Sequence, residues 1–162
     1  MIVKLTWDEI KTACNEAVVR AINAKSKHIK PAYGMSYGFF DGLKIDILGC
    51  LAEIATAKGL NMYWTGRFEI HSPDVGGMIE VKSIDSNKKN LIVHLKSKNS
   101  AHISVLTLLH DVRTAEILGW IKTEDGRKEQ YLFEGRPGHQ IYLVPQNDLN
   151  PISELLADGT NV

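Results

Sequence analysis

The chain has 162 residues, 44% of them hydrophobic and 23% charged, with 19 Lys and Arg against 19 Asp and Glu, which is ordinary globular composition and enough chain for one core. It lacks the roughly 18 consecutive apolar residues of a membrane helix, and no charged-apolar-small leader opens it. The expectation is one cytoplasmic domain over 1–162, away from membranes; the balanced charge neither proposes nor excludes a nucleic-acid partner.

Thr6-Trp7-Asp8-Glu9 has the capping-box form, and Ile10, Ala13, Cys14, Ala17, Val18 and Ala21 then recur at helical spacing, predicting a first helix with one apolar stripe. Next, Lys25, Lys27, His28 and Lys30 precede Pro31, and Tyr33, Gly34, Tyr37, Gly38, Phe39 and Phe40 follow without periodicity. Cations beside rings suit a loop that neutralises phosphates and stacks on bases; they equally suit a solvated loop covering the core edge. A second helix is predicted from Asp41 or Asp46 to Lys58, with Gly59 as its stop. Ile45, Leu48, Ala52 and Ala55 form one stripe of it and Ile47, Leu51 and Ile54 another, so the helix is largely buried. Glu53 lies inside it, where a carboxylate needs a cation, a metal or several donors.

From Met62 the texture is that of strands, expected at 64–70, 78–84, 91–95, 102–109, 116–122, 130–133 and 140–144, with a short helix at 151–157. Cys14 and Cys50, without a CxxC or Cys/His cluster, read as reduced thiols among apolar neighbours. The three tryptophans, Trp7, Trp64 and Trp120, read as core or core-edge residues. The fold class is α+β, helices first and a mainly antiparallel sheet after.

The specific segment is Ser72-Pro73-Asp74-Val75-Gly76-Gly77-Met78-Ile79-Glu80-Val81-Lys82-Ser83. In a strand, the period of two places Ile79 and Val81 on one face and Glu80 and Lys82 on the other. The glycine pair allows a tight reversal, so that Asp74 at the end of one strand and Glu80 on the next converge. Clustered carboxylates repel unless a divalent ion neutralises them, and an all-oxygen site suits magnesium, with manganese as substitute. Phosphodiester hydrolysis needs a positioned water, a Lewis acid and balance for negative charge. Lys82 can orient the water or balance the charge, and the Val81 carbonyl can complete the metal shell.

Pro73-Asp74 followed by Glu80-Val81-Lys82 resembles the PD-(D/E)XK signature, and Gly49-Cys50-Leu51-Ala52-Glu53-Ile54-Ala55 resembles the helix that carries a further acid in many members of that superfamily. The resemblance covers roughly 46–95. It implies a restriction-endonuclease-like fold, a central mixed, mainly antiparallel sheet flanked by helices. It also implies Asp74 and Glu80 as metal ligands, Lys82 as catalytic lysine and Glu53 as helix-borne acid, acting on DNA. Gly119-Trp120-Ile121 and Tyr142-Leu143-Val144-Pro145 look like small phage or prophage-type members. One departure is that the superfamily usually places a helix between its third and fourth strands, whereas 96–101 leaves space for little more than a turn.

Lys82, Lys88, Lys89, Lys96 and Lys98, opposed only by Asp85, are locally basic. With Lys27 and Lys30 they are candidates to grip phosphates, and solvated strand ends account for Lys88 and Lys89 equally well. The six histidines show no metal-binding spacing. The leading expectation is a magnesium-dependent deoxyribonuclease. The alternatives are a junction or structure-specific resolvase, which predicts a homodimer, and a non-catalytic nucleic-acid-binding or assembly module.

Overall fold

Thr6 caps the first helix as the capping box requires: its Oγ1 accepts from the Glu9 amide at 3.2 Å, and Glu9 Oε2 accepts from the Thr6 amide at 2.7 Å. From there α1 runs over Trp7–Ser26 and buries Ile10, Ala13, Ala17 and Ala21, the three alanines letting α2 (Phe39–Gly59) lie close along it. The computed structural model describes residues 1–29, 38–66, 72–86, 89–95, 102–136 and 139–158.

Both ends of α2 differ from expectation. It starts earlier, at Phe39, because Gly38 caps it from extended backbone and the Gly42 amide already closes onto the Gly38 carbonyl at 3.0 Å. It continues through Gly59 and stops at Asn61, whose φ of +54° is left-handed. The Met62 amide reaches back to the Ala57 carbonyl at 2.9 Å and the Asn61 amide to Lys58 at 3.2 Å, the paired bonds of a Schellman motif with Asn in glycine's usual place. Gly59 serves packing instead. A Cβ there would meet Ile117 Cδ1 at 2.7 Å and Val3 Cγ2 at 2.9 Å.

The strands make two sheets, where a single central sheet was expected. The first has the order β1 (Ile2–Lys4), β5 (Thr114–Lys122), β4 (Ile103–Leu109), β2 (Ile79–Ile84); the second runs β3 (Leu91–His94), β7 (His139–Val144), β6 (Leu132–Arg136). All described pairings are antiparallel except β2 with β4, which run parallel with Glu80 opposite Ser104 and Lys82 opposite Leu106. Parallel neighbours need a crossover, commonly a helix; here the chain between them passes through β3 in the second sheet. The segment 96–101 lies outside the described residues, as do 67–70 of the strand expected from Trp64, although Trp64 itself bridges Val75. Residues 129–131, the first of them just ahead of the strand expected at 130–133, form a 3₁₀ turn before β6. The C-terminal helix α3 spans Ile152–Asp158.

Three layers follow from which faces are apolar. Ile79, Val81, Val105 and Ile117 bury one face of the first sheet against Leu51, Ile54 and Ala55 of α2. Ile84, Leu106 and Leu108 bury the other face against Leu91, Val93 and Val144 of the second sheet. Thr56 and Thr107 satisfy each other at 2.8 Å across the helix side. Both cysteines are free, and burial pushes the Cys50 thiol up to about 12. Trp120 is buried, but Trp7 is 63% exposed under the Arg113 guanidinium, so it is a surface residue and not part of the core. Among the described residues, no helix is long and apolar enough to cross a membrane.

Candidate active site at the edge of the four-stranded sheet

Asp74 is placed by the turn that precedes β2. Gly76 (φ +59°) and Gly77 (φ +72°) take left-handed conformations that side chains disfavour, and the Asp74 amide meets the Ile79 carbonyl at 2.8 Å. From the other side, the Thr65 amide and hydroxyl both bond the Asp74 carbonyl, at 3.1 and 2.9 Å. The backbone is therefore pinned between two segments. Its carboxylate Oδ2 accepts the Val81 amide at 2.8 Å, which sets the side chain at the rim of β2, one of the two edge strands of its sheet among the described residues. Burial, then the charges of Glu53 and Glu80, push the Asp74 carboxyl up to about 8, against the opposing pull of the Val81 amide and Lys82.

Glu53 approaches from the helix layer and is 5% exposed. Arg20 of α1 holds it with two bonds, Nη1 to Oε1 at 2.7 Å and Nη2 to Oε2 at 2.8 Å, and Trp64 Nε1 donates to Oε2 at 2.8 Å. Burial opposes the Arg20 charge, but the bonds to Glu53 outweigh it and hold the guanidinium firmly protonated. The lone buried acid thus has both a cation and a neutral donor. Sequence reasoning missed Arg20 and Trp64 as its partners. An arginine between Val19 and Ala21, beside the apolar stripe of the first helix, was the available signal.

Glu80 and Lys82 alternate with Ile79 and Val81 as the pattern predicts, and so face away from α2 toward the second sheet. Lys82 Nζ donates to Glu80 Oε1 at 2.6 Å. They border a small, partly open cleft whose other walls are Ile92, Val93, His94, Ser104, Thr123 and Arg127. Burial first, then Lys82 and Arg127, lower the His94 imidazole to about 4, so it is neutral at pH 7. His94 and Arg127 carried no sequence signal beyond their residue types.

The four singled-out side chains therefore surround one strand edge from three directions. Glu53 comes from the helix side, Asp74 sits at the rim, and Glu80 with Lys82 lies on the far face. The charges of the other three all bear on Asp74. Each carboxylate is turned to its own partner, and among the described residues no three His, Cys, Asp or Glu side chains are grouped closely enough to hold a metal ion in this arrangement. Of the lysines, Lys27 caps the end of α1 in solvent, and the exposed Lys89 pairs with Asp85. Lys30, Lys88, Lys96 and Lys98 lie outside the described residues. No protein-family model, curated protein or solved structure matches this chain.

Proposed function

We propose that the chain is a magnesium-dependent nuclease of the PD-(D/E)XK class that hydrolyses DNA phosphodiester bonds, and that its layers are a variant of the restriction-endonuclease-like fold with a second sheet on one face. The observation that carries this reading is Asp74, a buried carboxyl held at a strand rim with two further acids bearing on it and a lysine two residues beyond one of them. The repulsion from Glu53 and Glu80 that keeps the Asp74 carboxyl protonated is what a hard cation beside it would relieve.

The donor chemistry fits magnesium, or manganese in its place. Asp74 and Glu80 offer carboxylate oxygens. In an extended strand the N–H and C=O of one residue leave on the same side, so the Val81 carbonyl lies on the side of Asp74, whose carboxylate its amide already meets. Glu53, with both oxygens held by Arg20 and Trp64, serves as the auxiliary acid, and becomes a direct ligand only by exchanging those bonds. A bound magnesium supplies Lewis acidity at the phosphate and a more acidic water. Lys82, held beside Glu80 and bordering the cleft, orients that water or offsets charge on the phosphate. Lys27 and Lys89 are assigned to the DNA backbone.

Purified protein incubated with linear, circular and branched DNA tests this. Cleavage is expected with magnesium and none with EDTA, and Asp74→Asn and Lys82→Ala should each slow it by about 10²–10³-fold. Cleavage that survives both substitutions overturns the site. Binding without metal-dependent cleavage of any substrate overturns the enzyme reading in favour of a binding module, and selective cutting of branched DNA by a dimer identifies the resolvase.

A further inference from the structure

We infer that the cleft between β2, β3, β4 and the 3₁₀ turn Asp125–Arg127 is a phosphodiester-binding site, with Arg127 as its anchoring cation and Lys82 as the second. That the phosphodiester belongs to a nucleic-acid backbone rests on the nuclease reading; the oxyanion chemistry of the cleft does not.

The turn can sit down onto the second sheet because position 126 has no side chain. A Cβ at Gly126 would lie 3.0 Å from Val93 Cγ2, 3.4 Å from Ile121 Cγ2 and 3.5 Å from Val144 Cγ2. That close seat delivers Arg127 to the cleft wall. Arg127 Nε donates to the His94 carbonyl at 3.0 Å, which fixes the plane of the guanidinium at the end of β3. Its Nη2 is buried and has no hydrogen-bond partner among the described residues. A buried guanidinium donor without an acceptor is unfavourable, and a planar fork fixed at one nitrogen is preorganised for two oxygens of a phosphate.

The rest of the cleft agrees in sign. Among the described residues that line the cleft, Lys82 and Arg127 are cations and Glu80, which Lys82 holds at 2.6 Å, is the carboxylate. Asp125, in the same turn, is held outside by Lys128 at 2.9 Å. Ser104 and Thr123, buried in the wall, bond each other through their hydroxyls at 3.0 Å, which leaves one O–H of the pair as an uncharged donor. Lys82 links the cleft to the edge where Asp74 lies. A phosphate gripped by Arg127 would therefore neighbour the proposed reacting centre and select its register along the strand, a role that lysines at exposed turns cannot fill.

Binding measured without cleavage decides the matter. Fluorescence anisotropy of a labelled 20-nucleotide duplex and the matching single strand, in EDTA, would compare the wild type with Arg127→Gln and Arg127→Lys, with inorganic phosphate as competitor. Arg127→Gln is expected to weaken binding about tenfold or more and to lower the slope of log K against log salt by about 0.9 for the duplex, while Arg127→Lys retains the slope with a smaller loss. In the unmodified protein, the Arg127 Nε–H resonance should shift on adding unlabelled oligonucleotide, a readout that needs no variant to fold. Unchanged affinity and slope in a folded Arg127→Gln, or an Arg127 resonance that does not move, overturns the inference. Metal-dependent cleavage with Arg127-independent binding would sink this site and leave the nuclease standing. Arg127-dependent binding with no cleavage would do the reverse.

Discussion

On the helix side of β2, Arg20 and Trp64 place three donors on the two oxygens of Glu53, and the group is closed to solvent. On the opposite side, Glu80, Lys82, His94 and Arg127 border an open cleft, and a guanidinium nitrogen there has no partner among the described residues. Both clusters combine acids with bases a few residues from the same strand, so composition does not separate them. Closure does. A desolvated pair with its donors matched is a fixed charge, able to act on Asp74 through space but reluctant to exchange partners. A half-open cluster that leaves one Arg127 nitrogen without an acceptor among the described residues is one that an incoming anion can complete.

The sharpest way to break that contrast is to remove the cation from the closed side. Arg20→Ala leaves Glu53 buried and uncompensated, and should lower unfolding stability by about 3–5 kcal/mol in a urea titration at pH 7. Replacing the pair together, as Arg20→Met with Glu53→Leu, should recover most of the loss, because the penalty lies in the orphaned charge. A loss well below 1 kcal/mol for Arg20→Ala would mean that water reaches Glu53 and that the two sides do not differ in kind. Next in size is Trp64→Phe, which keeps one aromatic ring and deletes the indole N–H that donates to a charged acceptor; about 1.5–3 kcal/mol is expected. Equal stability of Trp64→Phe and wild type would show that Arg20 alone closes the cluster.

Local chemistry made the near edge of this site readable. Thr6 with Glu9 announced a helix start, Gly76-Gly77 announced the reversal, and the alternation of Ile79 and Val81 with Glu80 and Lys82 announced which side chains share a face; each signal spans fewer than ten residues, and each stands in the structure. Pairings between distant segments were not readable. Glu53 was recognisable as an acid in need of partners, yet Arg20 lies 33 residues away on another helix. The division into two sheets depends on β3 leaving β2 to pair with β7, about 50 residues on. β1 has three residues, too few for a period. Asn61 takes a left-handed cap more often given to glycine, and so Gly59 was misassigned as the stop. Arg127 belongs to the cleft only because Gly126 lets its turn settle on Val93.

The two sides also oppose each other in their response to pH. Asp74 titrates near 8 in the folded protein against an ordinary value of 3.8, with burial the leading cause and Glu53 and Glu80 next. The folded state therefore holds a proton that the unfolded chain has released, and the stability this confers is full below pH 4 and drains away as pH rises to 8, by about 1.4 kcal/mol per pH unit within that window. His94 runs the other way: lowered from 6.5 to about 4, it confers stability above pH 6.5 that is lost as pH falls toward 4. In the unmodified protein the two slopes offset each other between pH 4 and 6.5, leaving the Asp74 decline exposed from 6.5 to 8. Asp74→Asn should convert the profile to one that rises to pH 6.5 and then levels, and His94→Asn to one that falls throughout. Chemical denaturation at half-unit pH steps measures all three curves. Because a bound cation favours the ionised carboxylate, millimolar magnesium should flatten the wild-type decline above pH 6.5 and leave the Asp74→Asn curve where it was. A decline that persists unchanged in magnesium would detach Asp74 from the metal and confine it, with Glu53, to the closed side of the strand.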